Sequence, residues 1–325
     1  MSDEWCGDLA RVIESAYDVP GPVSCRFMRS GFNQHFRAEA GDETFHVRLY
    51  FDGNYYIRGD DDFRCELALT RALAEAGCPV AAPIARRDGQ LLTVGEIDGR
   101  PRRLAMLAMA PGEPCSEPTT EQAATIGRAV AAIHATANEV APTLPGDRYH
   151  LDERYLLTQP LAQLRRAAGD APELDRLQAL CAELSAVLAS LPKDDSDYGL
   201  IHADFHLGNM HFSDDGELTI FDFDHCAYGW RAYDLTTLRL SLADDRWAAA
   251  LEAYAATRPL PPGVELIDDL VRMRILWDIG DILAMEDVWG NDDASRQVRE
   301  ALPKLCLRLG LPEEPQSDLH GSERS

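Results

Sequence analysis

Apolar and polar side chains along residues 3–17 recur at helical spacing, and the Pro20-Gly21-Pro22 run stops that helix. The period then falls to two. Val23–Arg29, Gln34–Ala40 and Thr44–Phe51 read as strands, with Ala40-Gly41-Asp42 turning the chain between the second and third. Residues 61–76 return to helical spacing, opened by aspartates that suit a helix N-terminus and closed by Gly77 and Pro79. Leu91–Ile97 and Arg102–Met109 are two more strands around Asp98-Gly99. Residues 1–110 thus predict a mostly antiparallel sheet with one inserted helix.

The character changes after Ala110-Pro111-Gly112. Thr119 and Gln122 form a capping box, and Ile126, Val130 and Ile133 set a helical stripe running to about Asn138. Residues 160–190 are alanine- and leucine-rich and helical, 200–225 break into short strands, and helices return from about Asp234 to Leu309. The expected fold class is α+β. A small sheet-rich lobe at 1–110 would join a helical lobe at 111–311 through a hinge at Met106–Gly112, and residues 312–325 make a polar tail.

Composition narrows the chemistry. Of 325 residues, 55 are acidic and 31 basic, a formal net charge of −24, and only Lys193 and Lys304 are lysines. A phosphate-binding loop ending in Gly-Lys-Ser/Thr is therefore absent, and an acidic surface argues against nucleic acid as a partner. Eight cysteines are scattered singly, with no Cys-x-x-Cys pair. With no leader and no apolar run near the ~18 residues a membrane span needs, a cytoplasmic protein with reduced thiols is expected.

The chemistry-bearing segment is Ile201-His202-Ala203-Asp204-Phe205-His206-Leu207-Gly208-Asn209, followed by Ile220-Phe221-Asp222-Phe223-Asp224. Between them, Ser213-Asp214-Asp215-Gly216 flanked by apolar residues predicts a hairpin. A hairpin brings its ends together, so Asn209 and Asp222 should converge. An amide oxygen and a carboxylate are hard ligands suited to Mg²⁺ that also contacts nucleotide phosphates. Asp204 would sit at the same rim as a base toward a substrate hydroxyl.

His202-x-Asp204-x₄-Asn209 with the Asp222-Phe-Asp segment resembles the catalytic and metal-binding loops of protein-kinase-like small-molecule kinases. That superfamily includes aminoglycoside phosphotransferases, choline kinases and type II homoserine kinases. The chain looks most like the homoserine-kinase-like branch, which also holds a stress-response protein kinase, and the likeness spans residues 24 to 285. The resemblance implies ATP or GTP and Mg²⁺ as cofactors, Asp204 as catalytic base, His202 as organiser of the loop, and Asn209 and Asp222 as metal ligands. It implies that Asp234 braces the catalytic loop and that Ser30-Gly31-Phe32-Asn33 is the turn covering the phosphates. The third-strand lysine of the family is replaced by Arg48, whose expected partner is Glu66 on the inward stripe with Leu69 and Leu73. The hinge, Met109 included, would offer backbone groups to the nucleobase. Trp277, Asp278 and Asp281 fall where the superfamily lines its acceptor pocket, and would suit an amine-bearing alcohol.

The expected activity is transfer of a γ-phosphate to a hydroxyl of an amino alcohol or aminoglycoside-like molecule. Three alternatives stand beside it: a protein Ser/Thr kinase of the stress-response type, a hydrolase with zinc on His202, Asp204, His206 and His211, and a nucleotide-binding pseudokinase. Asp224 reads equally as a metal contact or a turn cap.

Overall fold

The computed structural model describes residues 5–51, 53–289 and 294–311, and the polar tail at 312–325 lies outside the described residues. The chain forms two compact units. The first comprises Met1–Asp152 and Leu191–Val271, and the second Glu153–Ser190 and Arg272–Ser325.

The first unit opens with α1 (Cys6–Ala16), then β1 (Val23–Ser30), β2 (Gln34–Ala40), β3 (Glu43–Leu49), α2 (Asp60–Glu75), β4 (Thr93–Ile97) and β5 (Arg100–Ala108). The strands make one antiparallel sheet in the order β1-β2-β3-β5-β4. Period-two alternation divides the sheet's side chains between two cores. On one face Phe36, Val47, Leu104 and Met106 pack against Leu9 and Ile13 of α1. On the other, Tyr50, Ala105 and Leu107 meet Phe63 and Leu67 of α2. Each buried Val, Leu, Ile, Phe or Met among them contributes about 1.5–3 kcal/mol.

The chain then runs through β6 (Glu113–Pro114), α3 (Thr120–Val140), β7 (Tyr198–Ile201), β8 (Met210–Phe212), β9 (Leu218–Ile220), β10 (Ala227–Trp230), α6 (Arg231–Ser241) and α7 (Asp244–Thr257). The capping box forms as expected: the Thr119 side chain accepts from the Gln122 backbone N–H, and the Gln122 side chain accepts from that of Thr119. Strands pair as β6-β8-β9 and β10-β7. They share a core with α3, α6 and α7 through Ile126, Val130, Phe205, Met210, Ile220, Phe223, Leu238 and Tyr254. At Gly127 a Cβ would lie 2.0 Å from the Ala250 carbonyl oxygen, so glycine is what lets α3 and α7 touch backbone to backbone.

The second unit contains α4 (Gln159–Ala168), α5 (Glu173–Ser190), most of α8 (Ile267–Trp289) and α9 (Ala294–Arg308). The single helical stretch expected at 160–190 is divided. It is preceded by a π-helical turn at Arg154–Thr158 and interrupted at Gly169, whose φ of 67° ends α4. Alanine and leucine periodicity continues across that break, which is why pattern alone merges the two helices. Among the described residues, no helix is long and apolar enough to cross a membrane.

Candidate active site

β7 delivers the loop that carries Asp204, and the β8–β9 hairpin delivers Asn209 and Asp222. Met210 pairs with Ile220 and Phe212 with Leu218, around a turn whose Gly216 has φ 81°. One residue outward, the Phe221 N–H donates to the Asn209 carbonyl at 3.0 Å, so Asn209 and the residue before Asp222 are hydrogen-bonded neighbours. The Asn209 amide Nδ2 donates to Asp204 twice, to the backbone oxygen and to Oδ2, both at 3.1 Å. With its nitrogen committed to Asp204, Asn209 keeps its amide oxygen as the atom a cation would take.

Asp234, fully buried in the first turn of α6, holds the Asp204 loop in shape. Its carboxylate accepts from the His202 N–H at 2.9 Å and the Ala203 N–H at 2.6 Å, and it meets His134 Nε2 at 3.0 Å. Ala203 needs this help because its φ of 68° lies in the left-handed region, which disfavours a Cβ by about 1–2 kcal/mol. His202 is also fully buried. Its Nδ1 accepts from the Asp204 N–H at 3.2 Å, so the proton resides on Nε2, which donates to the Phe221 carbonyl at 3.1 Å. Burial lowers its pKa, which fits a neutral ring stapling two loops rather than a proton carrier.

Asp222 is the most contested carboxylate. It has left-handed backbone, φ 71° and ψ 57°, and its side chain is 17% exposed. Arg29 Nη2 lies 3.2 Å from Oδ2 and Arg48 Nη1 3.6 Å from Oδ1. Burial pushes its pKa up, but Arg48, then His35 and Arg29, outweigh that and hold it below the usual carboxylate range. Its neighbour Asp224 moves the other way, raised first by burial and next by the charge of Asp222. The pair therefore divides: Asp222 is the ionised member, and Asp224 Oδ2 accepts from Asn33 Nδ2 at 2.8 Å.

Arg48 and Glu66 meet, as expected. Nη1 donates to Oε1 at 2.8 Å with both side chains 1% exposed, and Tyr50 adds a hydroxyl donor at 3.3 Å. Two polar atoms here have no hydrogen-bond partner: Arg48 Nε, a donor, and Asp222 Oδ1, an acceptor. Of the turn residues, Ser30 and Gly31 are exposed, while Asn33 is engaged through both ends of its amide, with Asp224 and with the Phe51 N–H at 3.1 Å. Met109 lines a cavity of about 370 Å³ together with Ala108, Ala110, His46, His211 and Phe221. At Gly112, φ 78°, just past β5, a Cβ would collide with the Phe212 carbonyl oxygen at 1.9 Å.

Trp277, Asp278 and Asp281 belong to α8 in the second unit. Trp277 and Asp281 are buried, whereas Asp278 is 40% exposed and accepts from Arg274 Nε at 2.7 Å. The Arg274 guanidinium also lies 5.0 Å from the Trp277 ring centroid.

Two contributors escaped the sequence reading. Arg148, fully buried, donates from Nε to the Cys226 carbonyl (2.6 Å), from Nη1 to that of Asp62 (3.1 Å) and from Nη2 to that of Asp224 (2.5 Å). It ties the start of α2, the helix bearing Glu66, to the loop after Asp222. No local pattern marks an arginine whose partners are backbone oxygens from two distant segments. His206, named above only as a zinc candidate, places Nε2 3.4 Å from Asp204 Oδ2 while its Nδ1 accepts from the Gly208 N–H at 3.0 Å. The His225 ring packs against Phe32 (5.8 Å) and Tyr56 (5.1 Å).

Among the described residues, no three His, Cys, Asp or Glu side chains group so as to hold a metal by themselves. The zinc arrangement of His202, Asp204, His206 and His211 thus has no support, since His202 is committed to two backbone partners.

Comparison with known proteins agrees with this geometry. Residues 24–267 match the model of the APH phosphotransferase enzyme family. A homoserine kinase of Brucella anthropi is 31% identical over 260 residues, covering 75% of this chain and 73% of that protein. An amicoumacin kinase of Bacillus subtilis is 26% identical over 285 residues, with 81% of each chain covered. Among solved structures, a microcompartment-associated aminopropanol kinase superposes with a TM-score of 0.74 at 23% identity, covering 92% of this chain and 94% of that one. With three-quarters of its length inside the family model and the α+β fold in common, the chain belongs to the APH phosphotransferase enzyme family and is a kinase.

Proposed function

We propose that the chain transfers the γ-phosphate of ATP or GTP to a hydroxyl of a small molecule, an amino alcohol or aminoglycoside-like acceptor. In this reading Asp204 is the base, and Asn209 and Asp222 are the Mg²⁺-binding side chains. The observation that carries it is the chain of hydrogen bonds that links Asp204 to the Asn209 amide and Asn209 to the residue before Asp222, with Asp222 Oδ1 buried, without a hydrogen bond and 3.6 Å from Arg48. A buried carboxylate oxygen that no donor satisfies is costly, and a hard cation is the chemistry that satisfies it. Bound Mg²⁺ would neutralise part of the triphosphate charge.

The acceptor hydroxyl gives its proton to the Asp204 carboxylate as its oxygen bonds to the γ-phosphorus. The bond from that phosphorus to the β-phosphate oxygen breaks, and a nucleoside diphosphate leaves. Asn209 Nδ2 and His206 both address Oδ2 of Asp204, which fixes the carboxylate plane before a substrate arrives. Arg48, held rigid by Glu66, has its unpartnered Nε to offer to an α- or β-phosphate oxygen.

The amine-bearing acceptor is supported by the names homoserine kinase and aminopropanol kinase, each denoting a molecule with both an amine and a hydroxyl. Against a protein acceptor, the span between Asp222 and Asp234 is filled by a 3₁₀ turn (Phe223–His225), β10 and the start of α6. No loop remains there for a regulatory phosphosite. The test is a nucleoside-diphosphate release screen over amino alcohols, aminoglycosides, homoserine and protein acceptors, with Asp204→Ala as control. Turnover should fall about 10²–10⁴-fold in the variant while nucleotide binding persists. Full turnover in Asp204→Ala would sink the assignment of the base.

A further inference from the structure

One arginine on the sheet has no place in the scheme above. β1 and β2 pair in regular register from Val23↔Ala40 to Phe27↔Phe36, and Val23, Cys25 and Phe27 lean on the α1 core. Continued alternation would send Arg29 to that same face. Instead the register shifts between Phe27 and Arg29, with Met28 as the additional residue, and Arg29 pairs with His35. A one-residue bulge transfers every later side chain to the opposite face, and such bulges are found where an active site needs a side chain re-aimed. His35 is in turn the cross-strand partner of Arg48. The bulge thus places Arg29 in one row with His35 and Arg48, and Arg29 and His35 line the cavity that also holds Met109 and Phe221.

Arg29 reaches Asp222 Oδ2 at 3.2 Å, although its own side chain is 54% exposed. Charges around it balance in pairs. Arg48 lies 3.6 Å from Asp222 Oδ1 but is shared with Glu66, which leaves Arg29 as the less committed of the two arginines facing Asp222. A divalent cation arriving alone at Asp222 would meet this guanidinium and be repelled. A cation arriving with a nucleoside triphosphate brings excess negative charge, and an exposed arginine on a short rotation can leave the carboxylate for a phosphate oxygen.

We propose that Arg29 is a nucleotide-binding residue that exchanges Asp222 for the β- or γ-phosphate, so that metal and triphosphate bind together rather than the metal first. This rests on the reading of Asp222 as a metal ligand.

The experiment compares wild type with Arg29→Gln and Arg29→Lys, using Mn²⁺ followed by electron paramagnetic resonance and calorimetric titration of the β,γ-imido analogues of ATP and GTP and of AMP. Wild type should bind Mn²⁺ weakly alone and tightly with an imidotriphosphate. Arg29→Gln should lose about tenfold or more in affinity for the metal–imidotriphosphate, gain affinity for Mn²⁺ alone, and keep its affinity for AMP. Arg29→Lys should recover part of the triphosphate affinity. Unchanged triphosphate affinity in Arg29→Gln, or an equal fall for AMP, overturns the inference while leaving the metal reading in place. A wild type that binds neither imidotriphosphate with Mn²⁺ overturns both, and circular dichroism of each variant excludes misfolding as the source of a loss.

Discussion

Removing the charge of Glu66 while keeping its shape, by Glu66→Gln, should destabilise the first unit strongly. Arg48 and Glu66 are each 1% exposed and 2.8 Å apart. At that separation and an effective dielectric of about 20, their Coulomb attraction is about 6 kcal/mol, and desolvation of the two ions cancels much of it. What matters for the variant is the charge left behind: breaking a buried pair on one side costs about 3–5 kcal/mol. Asp222, 3.6 Å from the same guanidinium, offers partial compensation, so the lower end, about 3 kcal/mol, is expected. That compensation has a functional consequence. Arg48 drawn toward Asp222 competes with a metal ion there, so Mn²⁺–nucleotide affinity should fall as well.

Urea denaturation followed by tryptophan fluorescence measures the first effect, and nucleotide titration the second. The double variant Arg48→Met/Glu66→Leu should recover most of the stability but not the nucleotide affinity, because both charges leave the core together. A loss under about 1 kcal/mol in Glu66→Gln would refute the claim that the pair is buried and mutually dependent. Arg48→Lys should keep most of the stability, since an ammonium can still pair with Glu66, while shifting nucleotide affinity because the planar fork is lost.

Asp234→Ala removes the acceptor for the His202 and Ala203 N–H groups and for His134. At about 1–3 kcal/mol per stranded buried donor, it should cost at least about 3 kcal/mol in urea denaturation and release the Ala203 backbone from its left-handed conformation. Turnover should fall with it, and Asp234→Asn, which retains an acceptor, should lie between. A second expectation concerns acid. Burial depresses the His134 pKa below its usual 6.5, so the folded state resists a proton that the unfolded chain accepts. Its contribution to stability is therefore complete above about pH 6.5 and declines as pH falls through that value toward the depressed folded pKa. His134→Gln should show a shallower loss of stability between pH 7.5 and 5 than wild type, and identical slopes would exclude His134 as a contributor.

Signals confined to neighbours along the chain were legible without coordinates. Thr119 and Gln122 lie three apart and so cap their helix, Gly216 supplies the positive φ of its hairpin turn, and Asp204 and Asn209 are separated by one loop. The inward stripe of α2 put Glu66 in the core, and a buried carboxylate requires a cation, so its pairing with Arg48 was readable too. Helix breaks were less so, because the apolar period runs through Gly169 with little change.

Tertiary structure alone decided the rest. The bulge at Met28 turns on which β2 residue Arg29 opposes, and a one-residue slip leaves almost no mark in a strand's composition. Arg148 gathers the carbonyls of Asp62, Asp224 and Cys226, and backbone oxygens carry no sequence identity. The opposite pKa shifts of Asp222 and Asp224 follow from the burial of both and from the arginines that reach Asp222, whose charge in turn raises Asp224. Spacing and periodicity are local quantities and made the His202–Asn209 loop legible. Charge, burial and hydrogen-bond satisfaction are settled by whatever the fold brings within a few ångströms, and they fixed what each of its carboxylates can do.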